Sequence, residues 1–361
     1  MSAKRLSIKG LQIGGGAPVR VESMLKIPLS LREECLAQCV ALHGAGCELL
    51  RAAFPSLDLR EDLKWLNERS PIPLMADIHF DGALALAALE AGIPSIRINP
   101  GNMSSSRLRD IVASAKGKNA VLRIGANGGS LSSTQLKAAG GIRSDALAAA
   151  VEDQLHILLT EGFEDIILSA KSTSVMETVR ANTLLASKYP DFPLHIGITE
   201  SGYGRDGLVK SAAGLSLLLA QGIGDTLRIS LTEKPEEEVL AGYSLLRALD
   251  LRFHGVTIVS CPTCGRRRID VRAILEKLEP SFVDLPDALT VAVMGCEVNG
   301  PREAMDADFG VAGSPGGAVI FKKGKVLREV TLEELPRVFD EFARSSGEKR
   351  PNNTCGHLKG E

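Results

Sequence analysis

The stretch PLMADIHFDGALALAALEAGIPSIRIN, residues 73–99, decides the fold. It opens as a short apolar run near 73–79, continues as an Ala/Leu-rich helical run near 81–91, turns at Gly92-Ile93-Pro94 and returns to an apolar run near 95–99. A strand, a helix and a second strand in direct succession imply parallel strands joined by a crossover. Working outward, the same unit recurs. Strands are predicted near 19–24, 47–53, 73–79, 95–99, 120–127, 165–171, 194–200 and 226–231, with helical runs near 31–43, 58–68, 81–91, 104–116, 143–161, 174–187, 206–220 and 235–249. Eight strand-then-helix units fit an α/β fold of the (β/α)8 TIM-barrel type. A doubly wound sheet is the alternative, but VRVESMLKIP (19–28) carries no glycine fingerprint after the first strand.

The pattern changes after residue 250. VTIVSC (256–261), LTVAVMGC (289–296) and the hairpin-like AVIFKKGKVLREV (318–330), with helical runs near 270–279 and 332–344, describe a small α+β domain. The expected organisation is a barrel over 1–250, a second domain over 251–345 and a polar, disordered tail over 346–361 that contains Cys355 and to which no role is assigned.

The chain has 361 residues, 44% hydrophobic and 24% charged, typical of a soluble globular protein and long enough for two cores. Aromatics are only 4%, so the core must be built from Leu, Ile, Val and Ala, which suits buried parallel strands. A formal net charge of −2 gives no global basic field for nucleic acid or membrane, so anion binding must come from locally placed cations. The N-terminus MSAKRLSIKG has no apolar signal-peptide region, and no stretch approaches the ~20 apolar residues of a membrane span. The seven cysteines are therefore expected in a reducing cytoplasm, where metal binding is a commoner use than disulfides.

The strand ends are unusually polar. The second ends near Arg51; the third carries Asp77 and His79, the fourth Arg97 and Asn99, the fifth Arg123 and Asn127, the sixth Ser169 and Lys171, the seventh His195, Thr199 and Glu200, and the eighth Arg228 and Ser230. Side chains two apart on a strand share a face, so these pairs can all face the barrel mouth, where such barrels place catalysis. Four arginines and a lysine at one mouth call for a polyanion, most simply a diphosphate. Lys210, just inside the next helix, can add to the set. A single strand-end arginine is more often an ion-pair partner, but the recurrence on successive strands is hard to explain that way. Glu200 is either a general acid or base or the partner of a neighbouring arginine. His43, His156 and His254 read as structural, whereas His79 shares a face with Asp77.

Cys261 and Cys264 form a C-x-x-C at one strand end and Cys296 ends another, in MGCEVNGPREA (294–304). Three thiolates at turns suit an iron–sulfur cluster or zinc. A four-ligand cluster needs one more donor, with Glu297 and Glu303 nearby; zinc would need His254 or another residue; a thiol–disulfide role would leave Cys296 idle. Cys35, Cys39 and Cys47 read as small buried hydrophobes.

The segments ADIHFD (76–81), RINPGN (97–102), RIGANGGSL (123–131), GITESG (197–202), VKSAAGL (209–215), GIGDTLRISL (222–231), SCPTCGR (260–266) and GCEVNGP (295–301), the last followed by EA, resemble, in order, the 4-hydroxy-3-methylbut-2-enyl diphosphate synthase family. The resemblance runs from about residue 10 to residue 315. It implies a TIM barrel followed by a ferredoxin–sulfite-reductase-like cluster domain, a [4Fe–4S] cluster on Cys261, Cys264, Cys296 and Glu303, and a homodimer in which each cluster domain caps the other barrel. It implies reductive ring opening and dehydration of 2-C-methyl-D-erythritol 2,4-cyclodiphosphate, with electrons from flavodoxin or ferredoxin, in the cytoplasm or, were a transit peptide removed, a plastid stroma. By motif match, Arg51, Arg97, Arg123, Lys171, Lys210, Arg228 and Ser230 would hold the diphosphate; Asp77, His79, Asn99, Asn127, His195 and Thr199 would line the site; Glu200 matches the proton donor, and His79 and Asp77 are the other catalytic candidates. The chain departs from the family pattern in ESMLKI (22–27), where QSMTNT is usual, so at Glu22, Leu25 and Lys26 on either side of a retained Met24, at AAFPS (52–56), and at Arg302, which stands for a glycine. A glycine with positive φ there would make arginine a source of strain. A paralogue with altered substrate or no turnover, keeping the anion pocket, is the alternative these changes raise.

Overall fold

The computed structural model describes residues 2–78, 81–282, 285, 287–297 and 300–345. Two compact units divide at Arg252 and Phe253.

The first unit begins with a hairpin, β1 (Arg5–Ile8) and β2 (Leu11–Gly14), whose two-residue turn puts Lys9 and Gly10 at positive φ, as a tight turn matched to strand twist requires. Eight parallel strands follow: β3 (Arg20–Met24), β4 (Leu49–Ala53), β5 (Leu74–Asp77), β6 (Ser95–Ile98), β7 (Val121–Asn127), β8 (Ile166–Lys171), β9 (His195–Ile196) and β10 (Thr226–Leu227). Their order is β8-β7-β6-β5-β4-β3-β10-β9, and a parallel bridge between Leu168 and Leu194 closes the ring. A helix follows each strand; Gly82–Glu90 is capped by the Asp81 carboxylate on the Ala83 amide, and Pro235–Ala248 starts on proline, both helix-start signals. All four residues of β5 and all six of β8 are buried, as parallel strands between two layers must be. Leu6, Ile8 and Ile13 of the hairpin pack on Leu49, Met75, Val121 and Ile167 near the starts of the strands and so floor the barrel.

The eight barrel helices lie within two residues of their predicted starts and ends. The hairpin and a short helix, Ser133–Ala138, fall outside the predicted elements. The seventh and eighth strands are shorter than the apolar runs that predict them. Beyond Ile196 and Leu227 the chain leaves the ladder, held by single bonds such as Thr199 N–H to Ser172 O (3.2 Å) and Arg228 N–H to Ile196 O (3.1 Å). Gly197 sits where a Cβ would stand 2.7 Å from Arg228 O, so close backbone approach replaces regular pairing there.

The second unit is a mixed sheet, β11 (Thr257–Ser260), β12 (Thr290–Met294), β13 (Phe309–Ser314), β14 (Gly317–Lys322) and β15 (Lys325–Val330), in that order, parallel as far as β13 and antiparallel after it. Helices Val271–Phe282 and Leu335–Ser345 cover one face through Ile274, Leu278, Val338 and Phe339. Among the described residues no helix is long and apolar enough to cross a membrane.

Candidate active site

The barrel strands carry the predicted cations to one place. Arg51 on β4, Arg97 on β6, Arg123 on β7, Lys171 at the end of β8, His195 on β9 and Arg228 after β10 all line a cavity of about 100 Å³, together with Asp77, Asn127, Thr199 and Ser230. Alternation along each strand is what aims them inward. Two guanidinium N–H groups, Arg123 Nη2 and Arg228 Nε, are buried with no hydrogen-bond acceptor among the described residues, and Arg51 Nε has only a long ion-pair contact of 3.5 Å to the Asp77 carboxylate. Buried donors without acceptors are costly and mark a place for a ligand.

The protein supplies part of the neutralising charge itself. Asp77 lies 3.5 Å from Arg51 and 3.6 Å from Arg97. Glu22 of β3 accepts from Arg123 at 2.6 Å, both side chains fully buried. Glu238, buried on the helix after β10, accepts from Arg228 at 3.4 Å, from Lys26 at 3.1 Å and from the Leu231 amide at 3.1 Å. Sequence reasoning did not place Glu22 or Glu238 in the site. With Lys26 left aside, the five cations Arg51, Arg97, Arg123, Lys171 and Arg228 outnumber these three carboxylates by two.

Protonation follows from burial and neighbours. Burial would raise the Glu22 carboxyl, but Arg123 and His195 outweigh it and hold it well below the carboxylate range. Burial pushes Lys171 well below its ordinary value, and Arg51, Arg123 and Arg228 push the same way. Burial likewise lowers His195, against the pull of Glu22. A lowered Glu22 contributes stability that is lost as pH falls through its folded value. A lowered His195 means that the unfolded chain takes up protons the folded one refuses below about 6.5, so stability again falls with pH, and a lowered Lys171 acts the same way on the alkaline side. All three act in one direction. The Glu22 contribution acts below about pH 4.5 and that of His195 below about 6.5, so we expect the melting temperature of the barrel, by calorimetry in a buffer free of phosphate and sulfate, to rise between about pH 4 and about pH 7; a flat or falling profile would contradict these assignments.

Not every predicted residue reaches the cavity. Asn99 turns its Oδ1 to the Gly101 amide (3.1 Å) and caps a short turn. Lys210 is half-buried on its helix and does not line the cavity. Glu200 is exposed, not enclosed by cations, with φ +50°, a left-handed conformation unusual for a side chain of this kind. His79 lies outside the described residues, as does Cys355. Cys35, Cys39 and Cys47 are buried, and burial raises the thiol of each, that of Cys35 to about 11, which suits packing and not chemistry.

In the second unit, Cys261, Cys264, Cys296 and Glu303 line one cavity of about 210 Å³, while Glu297 does not. Cys261 follows β11, and Cys296 is separated from β12 only by Gly295; β11 and β12 are adjacent and parallel. Thr263, at φ +65°, makes the turn between Cys261 and Cys264. The Gly295 amide donates to Cys261 Sγ at 3.1 Å, and a Cβ at Gly295 would stand 3.3 Å from that sulfur. Among the described residues no three His, Cys, Asp or Glu side chains are grouped to hold a metal ion. The arrangement instead leaves room for an inorganic core, with three thiols, one carboxylate and an N–H to sulfur contact of the kind that tunes iron–sulfur sites.

Comparison with known proteins agrees with both units. The family model of the GcpE TIM-barrel domain matches residues 3–243, and that of the GcpE protein C-terminal domain matches residues 257–345. The chain belongs to the GcpE family. A 4-hydroxy-3-methylbut-2-en-1-yl diphosphate synthase (flavodoxin) of Thermodesulfovibrio yellowstonii is 42% identical over 342 residues, 94% of this chain and 98% of that protein. One of the same description from Lawsonia intracellularis is 44% identical over 349 residues, 94% of this chain and 97% of that protein. The crystal structure of Xanthomonas albilineans dihydropteroate synthase with 4-aminobenzoic acid is similar in fold alone, with a TM-score of 0.50 at 14% identity over 68% of this chain and 97% of that one.

Two departures from the GcpE pattern now have physical accounts. At and just after β3, Glu22 is the buried partner of Arg123 and Lys26 pairs with Glu238, on either side of the retained Met24, whose Sδ lies 3.1 Å from Arg51 Nη2. The altered segment is thus built into the cation ring. Arg302 lies in a helical turn, Gly300–Glu303, and is not among the residues at positive φ, so the expected strain does not arise.

Proposed function

We propose that this chain is an iron–sulfur oxidoreductase of isoprenoid biosynthesis that converts 2-C-methyl-D-erythritol 2,4-cyclodiphosphate to 4-hydroxy-3-methylbut-2-enyl diphosphate. Two electrons enter, the ring opens and one oxygen leaves as water. The observation that carries the reading is the surplus of buried cations, with guanidinium donors lacking acceptors, around a cavity at the barrel's strand ends. A cyclic diphosphate supplies the missing acceptors and the missing negative charge.

Arg51, Arg97, Arg123, Lys171 and Arg228 hold the phosphate oxygens and offset the charge that grows as the ring opens. Thr199 and Ser230 contribute hydroxyl contacts, and Asn127 an amide. Asp77 keeps Arg51 and Arg97 in place. A [4Fe–4S] cluster held by Cys261, Cys264, Cys296 and Glu303 would supply electrons one at a time and an iron able to accept the leaving oxygen. Glu200, exposed and next in the chain to the cavity-lining Thr199, is the proton donor. Flavodoxin, which the names of the relatives carry, is the electron donor, and the protein works as a homodimer in the cytoplasm, a reducing compartment that suits the free cysteines among the described residues.

The test is an anaerobic assay of the cluster-loaded protein with the cyclodiphosphate and a strong reductant. Consumption of substrate supports the reading; a fully loaded protein without turnover would favour a paralogue that binds but does not convert, the reading that the altered first strand raises. Glu200→Gln is expected to keep the cluster spectrum and lose about 10²–10⁴ in kcat. Unchanged kcat would remove Glu200 from the proton path.

A further inference from the structure

Glu22 reaches across the barrel interior from β3. Its Oε2 accepts from Arg123 on β7 at 2.6 Å, and its Oε1 stands 3.4 Å from His195 Nδ1 on β9. The same Nδ1 lies 2.8 Å from Thr226 Oγ1, and the other ring nitrogen, Nε2, lies 2.7 Å from Lys171 Nζ. An ammonium has only donors, so Lys171 donates and Nε2 accepts; the ring hydrogen is then on Nδ1, facing the Thr226 hydroxyl and the Glu22 carboxylate. Gly197 leaves space for this arrangement, since a Cβ there would stand 3.4 Å from Lys171 Nζ. The line Glu22–His195–Lys171 ends at the cavity, which Lys171 lines.

We propose that Glu22 is a positioning residue that, acting through the His195 ring, aims the Lys171 ammonium into the cavity and keeps its proton there for a bound diphosphate. The inference rests on the reading of this cavity as a diphosphate seat and adds to it a role for a residue at which the chain departs from its family.

The surroundings explain why such help is needed. Lys171 is faced by Arg51 from β4, Arg123 from β7, Arg228 after β10, His195 from β9 and Glu22 from β3; Glu22 in turn is faced by Arg123, His195 and the thiol of Cys47. Burial and the three arginines weaken the hold of Lys171 on its proton, and Glu22 acts in the opposite direction. Glutamine at position 22 keeps the shape and one acceptor but removes the charge. Two roles can be told apart. A carboxylate that merely offsets Arg123 repels an incoming anion, so glutamine would tighten anion binding at every pH. A carboxylate that maintains the Lys171 proton makes glutamine weaken binding on the alkaline side.

The experiment is calorimetric titration of the cluster-loaded protein with inorganic diphosphate from about pH 6 to about pH 9, in wild type, Glu22→Gln, Lys171→Met and the double variant. Titration of diphosphate itself is common to all four and cancels in the comparison. In wild type, affinity falls as pH rises. In Glu22→Gln the fall should begin about one pH unit lower, giving binding roughly tenfold weaker on the alkaline side. In Lys171→Met the Lys171-dependent fall is absent, and adding Glu22→Gln produces no further alkaline loss. Equal or tighter binding by Glu22→Gln at all pH values would overturn the proposal. His195→Gln, which breaks the line at its middle, serves as a second variant should Glu22→Gln fold poorly: it should show the same alkaline loss, and an unshifted profile would equally overturn the proposal. Failure of the wild type to bind diphosphate would instead strike the reading of the cavity, and the inference with it.

Discussion

Replacing Cys264 with serine is expected to abolish cluster loading and turnover while leaving the barrel folded. Cys264 is the most exposed of the three thiols around the second-unit cavity, and it is brought there by a turn that Thr263 makes at φ +65°. A serine hydroxyl fits the turn, but its proton is lost far less readily than a thiol's, so it is a poor iron ligand. With two thiols and Glu303 left, an iron–sulfur core loses the third strong ligand. The second unit has its own apolar clusters, centred on residues such as Val291, Phe309 and Phe339 and, on the other face, Met294 and Phe321. The first unit has a separate core of Leu, Ile, Val and Ala. Iron and sulfide content and the broad visible absorption should therefore fall to background, with kcat reduced by more than about 10³, while circular dichroism retains its helical signal. Full iron loading with an unaltered spectrum would remove Cys264 from the ligand set.

The second large effect concerns stability. Arg123 and Glu22 are each almost fully buried and meet at 2.6 Å. Arg123→Met keeps much of the volume but leaves the Glu22 carboxylate without its nearest counter-ion, and removing one member of a buried pair costs roughly 3–5 kcal/mol. For a unit of this size that lowers the melting temperature by roughly ten degrees. Combining Arg123→Met with Glu22→Gln should recover a large part of the loss, because the stranded charge is gone, although diphosphate binding remains impaired. If the double variant melts no higher than Arg123→Met, then lost packing and not unpaired charge is the cause.

Much of this architecture is legible in the sequence because the barrel repeats one local rule. Ala/Leu-rich runs such as GALALAALE (82–90) can only be helices against a sheet, and polar residues two apart at strand ends, such as Arg97 and Asn99, reveal which end faces the ligand. What escaped was the counter-charge. Glu22 follows the same spacing, with Arg20 and Met24, on a strand read only for its departure from the family. Glu238 sits among three glutamates at a helix start, where solvated charge is the ordinary reading; yet it shares the buried stripe of Gly242, Leu245 and Leu246, while Glu237 is exposed. Helical spacing carried that signal. Alternation predicts that Asn99 faces the mouth and a place at the end of the seventh strand predicts the same of Glu200, but the backbone turns first: Asn99 caps the next turn, and Glu200 enters a left-handed conformation. Alternation is informative only as far as the ladder extends.

The brevity of β9 and β10 has a consequence for how the enzyme handles its cargo. Two-residue strands give that arc of the wall few rungs, and its closure leans on side chains: the Asp225 carboxylate accepts from the Ser2 amide at 3.1 Å and from the Leu194 amide at 2.9 Å. Sparse bracing means easier local breathing. The arc also bears His195, Thr199, Arg228 and Ser230, so a guest that grips those groups adds cross-ties to the loosest sector of the ring. Recognition and stiffening then become one event, and a partial substrate that touches only the well-knit side forfeits the rigidity a complete one restores.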